Sequence, residues 1–314
     1  MAGSARGCHD ERSQIAEVLV KRQTIDKLVS DALAIEAEDA RKAGQLGFMA
    51  RALVQATLPH SEVKEPYHQR RNGVYRMTMT AVDPDIRLPY GPTPRLLLAW
   101  LNTEAVRTQS RHLELGDSLS EFFRKLDLVP KGGRWGTITR VKEQSRRLFS
   151  TAISCTRSDD ERETSARFML SDVEDFWWSP SSPGQGSLWQ STVTLSERFY
   201  AEIVQAPVPI DLRALKALRS SSMSLDLYCW LTYRMYSIRR PTTIPWEGLQ
   251  AQFGAGYPTT AQGLRDFRKK LLKHLRQVVV VYPNARVEPV DGGLLLSPSR
   301  THVSRRPRSL PTGT

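Results

Sequence analysis

The stretch GLRDFRKKLLKHLRQ, Gly263–Gln277, combines a regular apolar spacing with a high density of positive charge. Its apolar residues follow one another at intervals of three or four: Leu264, Phe267, Leu271, Leu275 and, beyond the stretch, Val278. Because an α-helix turns by about 100° per residue, this spacing places them on one buried face. The opposite face then carries Gln262, Arg265, Lys269, Lys273 and Arg276. The sequence predicts a helix over 259–278 that packs on a core and displays a basic surface.

The segments around this helix predict a winged helix. Two further helices are predicted before it, over 224–238 and 244–254, and a strand-like run over 278–282 ends it. The hairpin ARVEPVDGGLLLSP follows, with Asp291-Gly292 expected to supply the positive φ angles of a tight turn. Helices followed by a hairpin are the order in which winged-helix and helix-turn-helix proteins place a recognition helix in the major groove.

The first half of the chain shows the same order. Helices are predicted over 95–107, 119–129 and 137–153, and strands over 155–178 and 188–200. The third of these helices is expected to bury Ile138, Val141, Leu148 and Phe149 and to expose Thr139, Arg140, Glu143, Arg146 and Arg147. The predicted fold class is therefore α+β, with two tandem winged-helix domains, an N-terminal helical arm and a disordered C-terminal tail.

Composition shifts divide the chain into four predicted parts. Residues 15–58 have helix-compatible spacings, and the polar, proline-punctuated run PHSEVKEPYHQRR over 59–71 is typical of a linker. The predicted parts are a partly disordered N-terminal helical arm and linker over 1–70, a first winged-helix domain over 71–206, a second over 207–300, and a basic disordered tail over 301–314.

The overall charge favours an anionic partner. The 314 residues carry a formal net charge of +12, and clustered basic residues are typical of proteins that bind nucleic acid. The three cysteines lie far apart in sequence, which supports neither a disulfide framework nor a zinc site. No apolar run approaches the roughly 20 residues that cross a bilayer. These patterns predict a cytoplasmic protein that does not act at a membrane.

Catalytic signatures are absent from the sequence. No Gly-Lys dipeptide occurs, so there is no Walker A loop, and the six histidines include no close pair that could hold a metal ion. Asp83 and Asp85 flank a proline and are best explained as a solvated turn. Most of the seven tryptophans lie in apolar patterns typical of a core, and Trp135, in a glycine-rich turn, is the least certain of them. We predict a protein that is not an enzyme, with no catalytic residue, no cofactor and no metal.

Two sets of residues are predicted to contact DNA. The basic helix contributes phosphate or guanine contacts from Gln262, Arg265, Arg268, Lys269, Lys273 and Arg276. The helix of the first half contributes Thr139, Arg140, Glu143, Arg146 and Arg147. A solvated surface helix is the alternative for each, and it weighs more heavily for the first half, where the charge is weaker.

The residues also resemble a known family, the RepA-type plasmid replication initiators of Gram-negative bacteria. The similar phrases in the first half are RLPYGPTPRLLLAWLNTEAV, LELGDSLSEFFRKL and GGRWGTITR. Those in the second half are SLDLYCWLTYRMY, RRPTTIPWEGLQAQFG, LRDFRKKLLKHLRQVVVVYP and GGLLLSPS. They spread over roughly residues 70 to 300, and the N-terminal arm and basic tail are covered poorly.

The resemblance implies tandem winged helices that bind repeated sites in double-stranded plasmid origin DNA, open the adjacent duplex and recruit host replication proteins, namely a helicase and the host initiator. Initiators of this class also exist as homodimers that repress their own gene, so autorepression is an expected second activity. A transcriptional repressor without initiator activity is the first alternative. A relaxase or primase-type replication enzyme is the second, and the missing histidine and carboxylate clusters disfavour it.

Overall fold

The computed structural model describes residues 24–116, 118–159, 161–176 and 191–304. It mixes helices and strands throughout, which confirms the α+β class. The chain begins with a helix, α1, over 24–37, and then forms a strand, a short helix and a hairpin: β1 (Leu46–Ala50), α2 (Arg51–Gln55), β2 (Tyr67–Asn72) and β3 (Tyr75–Ala81).

The first half then forms the predicted series of helices and a hairpin. Its elements are α3 (Pro92–Thr108), β4 (His112–Glu114), α4 (Leu119–Lys125), α5 (Thr137–Phe149), β5 (Thr151–Ser158), β6 (Glu163–Phe168), β7 (Ser171–Asp175), β8 (Thr192–Leu195) and α6 (Glu197–Gln205). In a minimal winged helix the hairpin pairs with the strand between the first two helices. Here the hairpin β5–β6 does not pair with that strand, β4. It completes a four-stranded antiparallel sheet in the order β2-β3-β5-β6, while β4 belongs to a sheet in the order β4-β8-β7.

The second half is a more regular winged helix. A connecting strand and helix, β9 (Pro207–Asp211) and α7 (Leu212–Leu218), lead into α8 (Ser222–Ser237), β10 (Thr242–Pro245), α9 (Trp246–Phe253), α10 (Ala261–Val281), β11 (Val287–Val290) and β12 (Gly293–Leu296). Here the strand between the first two helices joins the hairpin in a sheet in the order β10-β12-β11. The order of three helices and a hairpin therefore recurs along the chain, as the sequence predicts.

The two halves share one hydrophobic core. A cluster of buried apolar residues runs from Ile35 through α3 and α8 to Leu296. The strand β1 pairs antiparallel with β9, from Leu46 opposite Asp211 to Ala50 opposite Pro207, so the N-terminal segment packs against the connection between the halves. The four-part division of the chain stays a prediction.

A buried ion pair joins α3 to α8. Arg95 Nε donates to Asp226 Oδ1 and Arg95 Nη2 donates to Asp226 Oδ2, each at 2.7 Å. The same guanidinium donates to the carbonyl oxygens of Leu58, Pro59 and Gly91 at 2.7 to 3.1 Å. His60 Nε2 lies 2.7 Å from Asp226 Oδ2. We call Arg95, Asp226 and His60 the junction cluster; it holds the first half, the second half and the segment at residues 58–60 together.

Burial raises the free energy of the ionised Asp226 carboxylate, but the Arg95 charge and the hydrogen bonds from His60 and Arg95 outweigh that cost and lower its pKa to about 2. Burial lowers the pKa of His60 to about 4, although Asp226 acts in the opposite direction. At neutral pH the junction cluster therefore contains one cation, one anion and a neutral imidazole.

Two predictions about the N-terminal region were wrong. Residues 46–50 were expected to be helical but form β1, because Gly47 allows a close approach: a Cβ there would lie 2.5 Å from Leu212 Cδ2. The predicted linker includes residues 67–71, which form most of β2. Asn72 pairs with Tyr75 across Gly73 and Val74, and Gly73 at the first turn position has a φ of 57°, so a glycine turn signal was present in the sequence. Predictions for 1–23 lie outside the described residues.

Three predictions about the ends of elements were also wrong. The third helix was predicted to end at residue 153 but ends at Phe149, and the strand β5 already begins at Thr151. Residues 197–200 begin α6 and were expected in a strand, but Ser196 Oγ caps the helix by accepting from Phe199 N at 3.2 Å. The valine run 278–281 continues α10, because Val278 and Val281, three residues apart, are both fully buried.

The last hairpin and the tail require corrections as well. β11 and β12 are joined through Asp291-Gly292 as expected, but neither residue has a positive φ. The start of the predicted disordered tail is packed. The His302 ring lies 4.6 Å from the Tyr282 ring, and Tyr228 Oη lies 2.7 Å from His302 Nδ1. Val303 is buried. Residues 305–314 lie outside the described part of the chain.

Candidate nucleic-acid interface

The helix α10 is anchored on the second half by its apolar face. Phe267, Leu271, Leu275, Val278 and Val281 are buried, as the spacing predicts for the first four, and Leu264 is half-buried. At its N-terminus Thr260 Oγ1 accepts from Gly263 N at 3.1 Å. Gly263 itself lies so close to the preceding loop that a Cβ would come within 2.1 Å of Pro258 O. These contacts fix the start of the helix and hence the direction of its polar face.

The opposite face is exposed. Its members are those that the sequence assigns to it: Gln262, Arg265, Lys269, Lys273 and Arg276. Gln262 connects its neighbours, since Arg265 Nη2 donates to Gln262 Oε1 at 2.7 Å and Gln262 Nε2 donates to Asp266 Oδ1 at 3.0 Å. Within the described residues no carboxylate forms an ion pair with Lys269, Lys273 or Arg276. We call these five residues the α10 basic face.

Arg268 lies beside this face in a different environment. It is half-buried, and its guanidinium carbon is 4.7 Å from the centre of the Trp246 ring. Trp246 Nε1 in turn donates to the carbonyl oxygens of Val290 and Asp291 at 3.2 Å. Arg268 therefore connects α10 to α9 and, through Trp246, to the tip of the last hairpin. The sequence placed it among DNA contacts, and this packing gives it a structural role that the spacing did not indicate.

The helix α5 also presents polar side chains, but its charge is partly neutralised. Thr139, Arg140, Glu143 and Arg146 are exposed as expected. Arg147 is half-buried: its Nε lies 2.7 Å from Glu143 Oε1 and its Nη1 lies 3.0 Å from Glu62 Oε1. Burial acts to lower the pKa of Arg147, but these two carboxylates raise it overall. Arg147 is therefore already paired within the protein and is less available than Arg140 or Arg146.

The structure brings the predicted residues together within each helix. The six predicted residues of the second half lie along one stretch of α10, and the five of the first half lie along α5. Their role in binding DNA stays a prediction. Sequence reasoning missed the junction cluster, for which the signal was a single charge beside or within an apolar run of each of two helices: Arg95 before LLLAWL and Asp226 within SLDLYCWL.

Within residues 24–116, 118–159, 161–176 and 191–304, no group of histidine, cysteine and carboxylate side chains has the arrangement of a metal site. In the same ranges, no helix is both long enough and apolar enough to span a bilayer.

A family model described as plasmid encoded RepA protein matches residues 88–247, about half of the chain. No curated protein sequence matches significantly. A crystal structure of domains 2 and 3 of RctB is similar with a TM-score of 0.47 and 13% identity, covering 78% of this chain and 94% of that one. A selenomethionine derivative of the same two domains gives a TM-score of 0.49 and 11% identity, covering 79% and 98%.

Proposed function

The chain belongs to the family of plasmid-encoded RepA proteins, and from this premise we propose that it initiates plasmid replication by binding repeated sites in the plasmid origin. In this proposal the α10 basic face enters the major groove, while α5 and the two hairpins hold the DNA backbone. Several copies bound to neighbouring repeats strain the adjacent duplex and promote its opening. The protein then recruits host replication proteins, and it acts without covalent chemistry.

The observation that carries the proposal is the α10 basic face. Residues 262–276 contain six lysines or arginines and one aspartate, a net charge of +5. Residues 137–150 contain four against one glutamate, a net of +3, and Arg147 is paired internally. A helix fixed on its apolar side, exposed on its basic side and followed by a hairpin matches the geometry by which winged helices place side chains against base edges and phosphates.

This assignment makes α10 the main source of affinity. A lysine or arginine that meets a phosphate releases condensed counterions, so binding weakens with salt. If the protein contacts about six phosphates, the logarithm of the binding constant should fall against the logarithm of salt concentration with a slope of about −5. Fluorescence anisotropy with DNA from around its own gene, titrated at several salt concentrations, measures this slope. A slope near zero would contradict the electrostatic part of the proposal.

A complementation test distinguishes a replication initiator from a transcriptional repressor. The protein is supplied in trans to a plasmid that carries its origin but lacks a functional copy of its gene. The proposal expects the plasmid to be maintained, and footprinting should show protection of repeated sites in the origin. Binding and promoter repression without plasmid maintenance would instead identify a transcriptional repressor.

The proposal that the protein is not an enzyme has its own test. A relaxase would nick supercoiled origin DNA in the presence of a divalent metal ion, and a primase would synthesise short oligonucleotides on a single strand. Incubation of the purified protein with supercoiled origin DNA and Mg²⁺ should leave the DNA intact. Appearance of a nicked species at a fixed position would replace this proposal with a catalytic one.

A further inference from the structure

The loop over 129–136, between α4 and α5, presents an exposed tryptophan. The Trp135 side chain is 83% exposed and Val129, at the start of the loop, is 67% exposed. The other described tryptophans, Trp100, Trp230 and Trp246, are buried as the sequence predicts, and Trp177, Trp178 and Trp189 lie outside the described residues. A large aromatic side chain left in water forgoes several kilocalories of burial energy, which is typical of a contact surface.

The loop is held firmly although its residues are exposed. Thr137 Oγ1 donates to Val129 O at 2.5 Å and accepts from Lys131 N at 2.8 Å. Thr139 Oγ1 donates to Gly133 O at 2.9 Å. The backbone packs so closely that a Cβ at Gly136 would lie 2.1 Å from Lys131 O. Two hydroxyls from the first turn of α5 therefore fix the loop, and Trp135 is displayed from a defined position beside that helix.

The sequence around Trp135 is basic. The Arg134 guanidinium carbon lies 5.2 Å from the centre of the Trp135 ring, within the range of a cation–π contact. From residue 128 to residue 142 the sequence contains Lys131, Arg134, Arg140 and Lys142 and no acidic residue. All four cations are exposed. This surface attracts a polyanion and offers it an aromatic ring.

We propose that Trp135 stacks on the exposed face of a DNA base, with Arg134 against the neighbouring phosphate. The inference rests on the proposed function, in which α5 lies on DNA. Bases inside a regular duplex are stacked on both faces, so the partner base must have left its stack. It comes either from a kinked step within the bound duplex or from a single strand beside it.

The chemistry favours DNA over a protein partner. Tryptophan and arginine are also common at the centres of protein interfaces, but lysine is depleted there and charges are usually paired. Four cations without a carboxylate over 15 residues of sequence fit a phosphate backbone better. Stacking on an aromatic ring contributes about 1–3 kcal/mol per base, which corresponds to about a 5- to 150-fold change in affinity.

The test compares Trp135→Ala and Trp135→Phe with the wild-type protein. The control is Tyr67→Ala, which removes another exposed aromatic side chain, 57% exposed, on the edge strand β2. Binding of a 20-residue oligothymidine measures the single-strand source. Permanganate reactivity of thymines in a bound duplex fragment from around its own gene measures the kinked-step source. Thermal unfolding should be unchanged in all variants, because neither side chain is buried.

Trp135→Ala should weaken oligothymidine binding about tenfold, or abolish the permanganate-reactive thymines in the duplex. Trp135→Phe should keep most of the wild-type binding and reactivity. Tyr67→Ala should match the wild type in both assays. Loss in the first assay identifies the single strand as the partner, and loss in the second identifies the kinked step. If Trp135→Ala equals the wild type in both assays, or Tyr67→Ala loses as much, the inference is overturned. If the wild-type protein does not bind the duplex fragment, the proposed function is refuted. If it binds neither the duplex nor the oligothymidine, the proposed function and the stacking role of Trp135 are both overturned.

Discussion

At the scale of single residues, the buried ion pair of the junction cluster should contribute strongly to stability. Replacing Asp226 with alanine leaves the buried Arg95 guanidinium without its carboxylate, so the free energy of unfolding should fall by about 3–5 kcal/mol. The matched control is Asp172→Ala, which removes an exposed pair in which Asp172 Oδ2 lies 2.9 Å from Arg111. That change should cost less than about 1 kcal/mol. Urea unfolding measures the free energy of unfolding of both variants. Equal losses would show that the buried pair of Asp226 contributes no more to stability than the exposed pair of Asp172.

The same cluster predicts how stability depends on pH. The pKa of His60 is lowered to about 4 by burial, so between about 6.5 and 4 the unfolded chain binds a proton that the folded chain does not. The contribution of the neutral His60 to the free energy of unfolding should therefore be present above pH 6.5 and be lost as the pH decreases to 4. This loss should amount to about 3 kcal/mol at most. His68 and His302, with pKa values lowered mainly by burial to about 3 and about 4, act in the same direction.

Asp226 adds a second step at lower pH. Its pKa of about 2 in the folded protein lies below the usual value of an aspartate, so its contribution is lost only as the pH falls below about 4. Urea unfolding of the wild type and of His60→Gln between pH 4 and 8 tests the first step. The variant should show a shallower decline, and an identical pH profile would mean that His60 is not the group responsible.

At the scale of the elements, the α10 basic face should divide into positioning and specifying residues. Lys273→Ala should weaken binding to every DNA sequence alike if Lys273 meets phosphate, whereas Arg265→Ala should cost about 1–3 kcal/mol chiefly at the cognate repeat if it reaches a base. Lys42→Ala removes an exposed charge outside both helices and serves as the control. Gel-shift titrations on cognate and scrambled repeats distinguish these effects. Equal losses on both sequences for both variants would show that this face positions the DNA without specifying its sequence.

The elements also show where sequence reasoning succeeds and where it fails. The apolar period of α10 and the order of helices and hairpins were predictable, because burial of a regular stripe dominates over local preferences. The helical run at 278–281 and the strand β1 were not, because each is decided by a partner distant in sequence: the core for Val278 and Val281, and β9 for β1. The strand β2 pairs with the adjacent β3 across a two-residue turn, so the sequence did carry a local signal for it.

Within the candidate site the same limit applies. The exposed members of α5 and α10 followed from helical spacing alone. The pairing of Arg147 with Glu62 and the stacking of Arg268 on Trp246 did not, since both join segments that lie apart in the sequence. Position on a helix face can therefore be predicted, whereas the environment of each charge requires the tertiary structure.

At the scale of the whole molecule, the continuous core predicts cooperative unfolding. Because the buried cluster includes residues of both halves and β1 pairs with β9, neither half should unfold alone. Urea unfolding followed by tryptophan fluorescence and by far-ultraviolet circular dichroism should give coincident single transitions. Two separate transitions would show that the halves are independent units despite their shared core.

The ion pair between Arg95 and Asp226 has a consequence for how such a protein can be recombined. The two residues lie 131 positions apart, on helices of different halves. A hybrid gene that joins the front of one plasmid's protein to the back of another's, with the crossover anywhere between these positions, takes the arginine from one parent and the aspartate from the other. Such a hybrid stays stable only when both parents carry the matching partners. Compatibility between lineages thus depends on a buried pair that belongs to neither α5 nor α10.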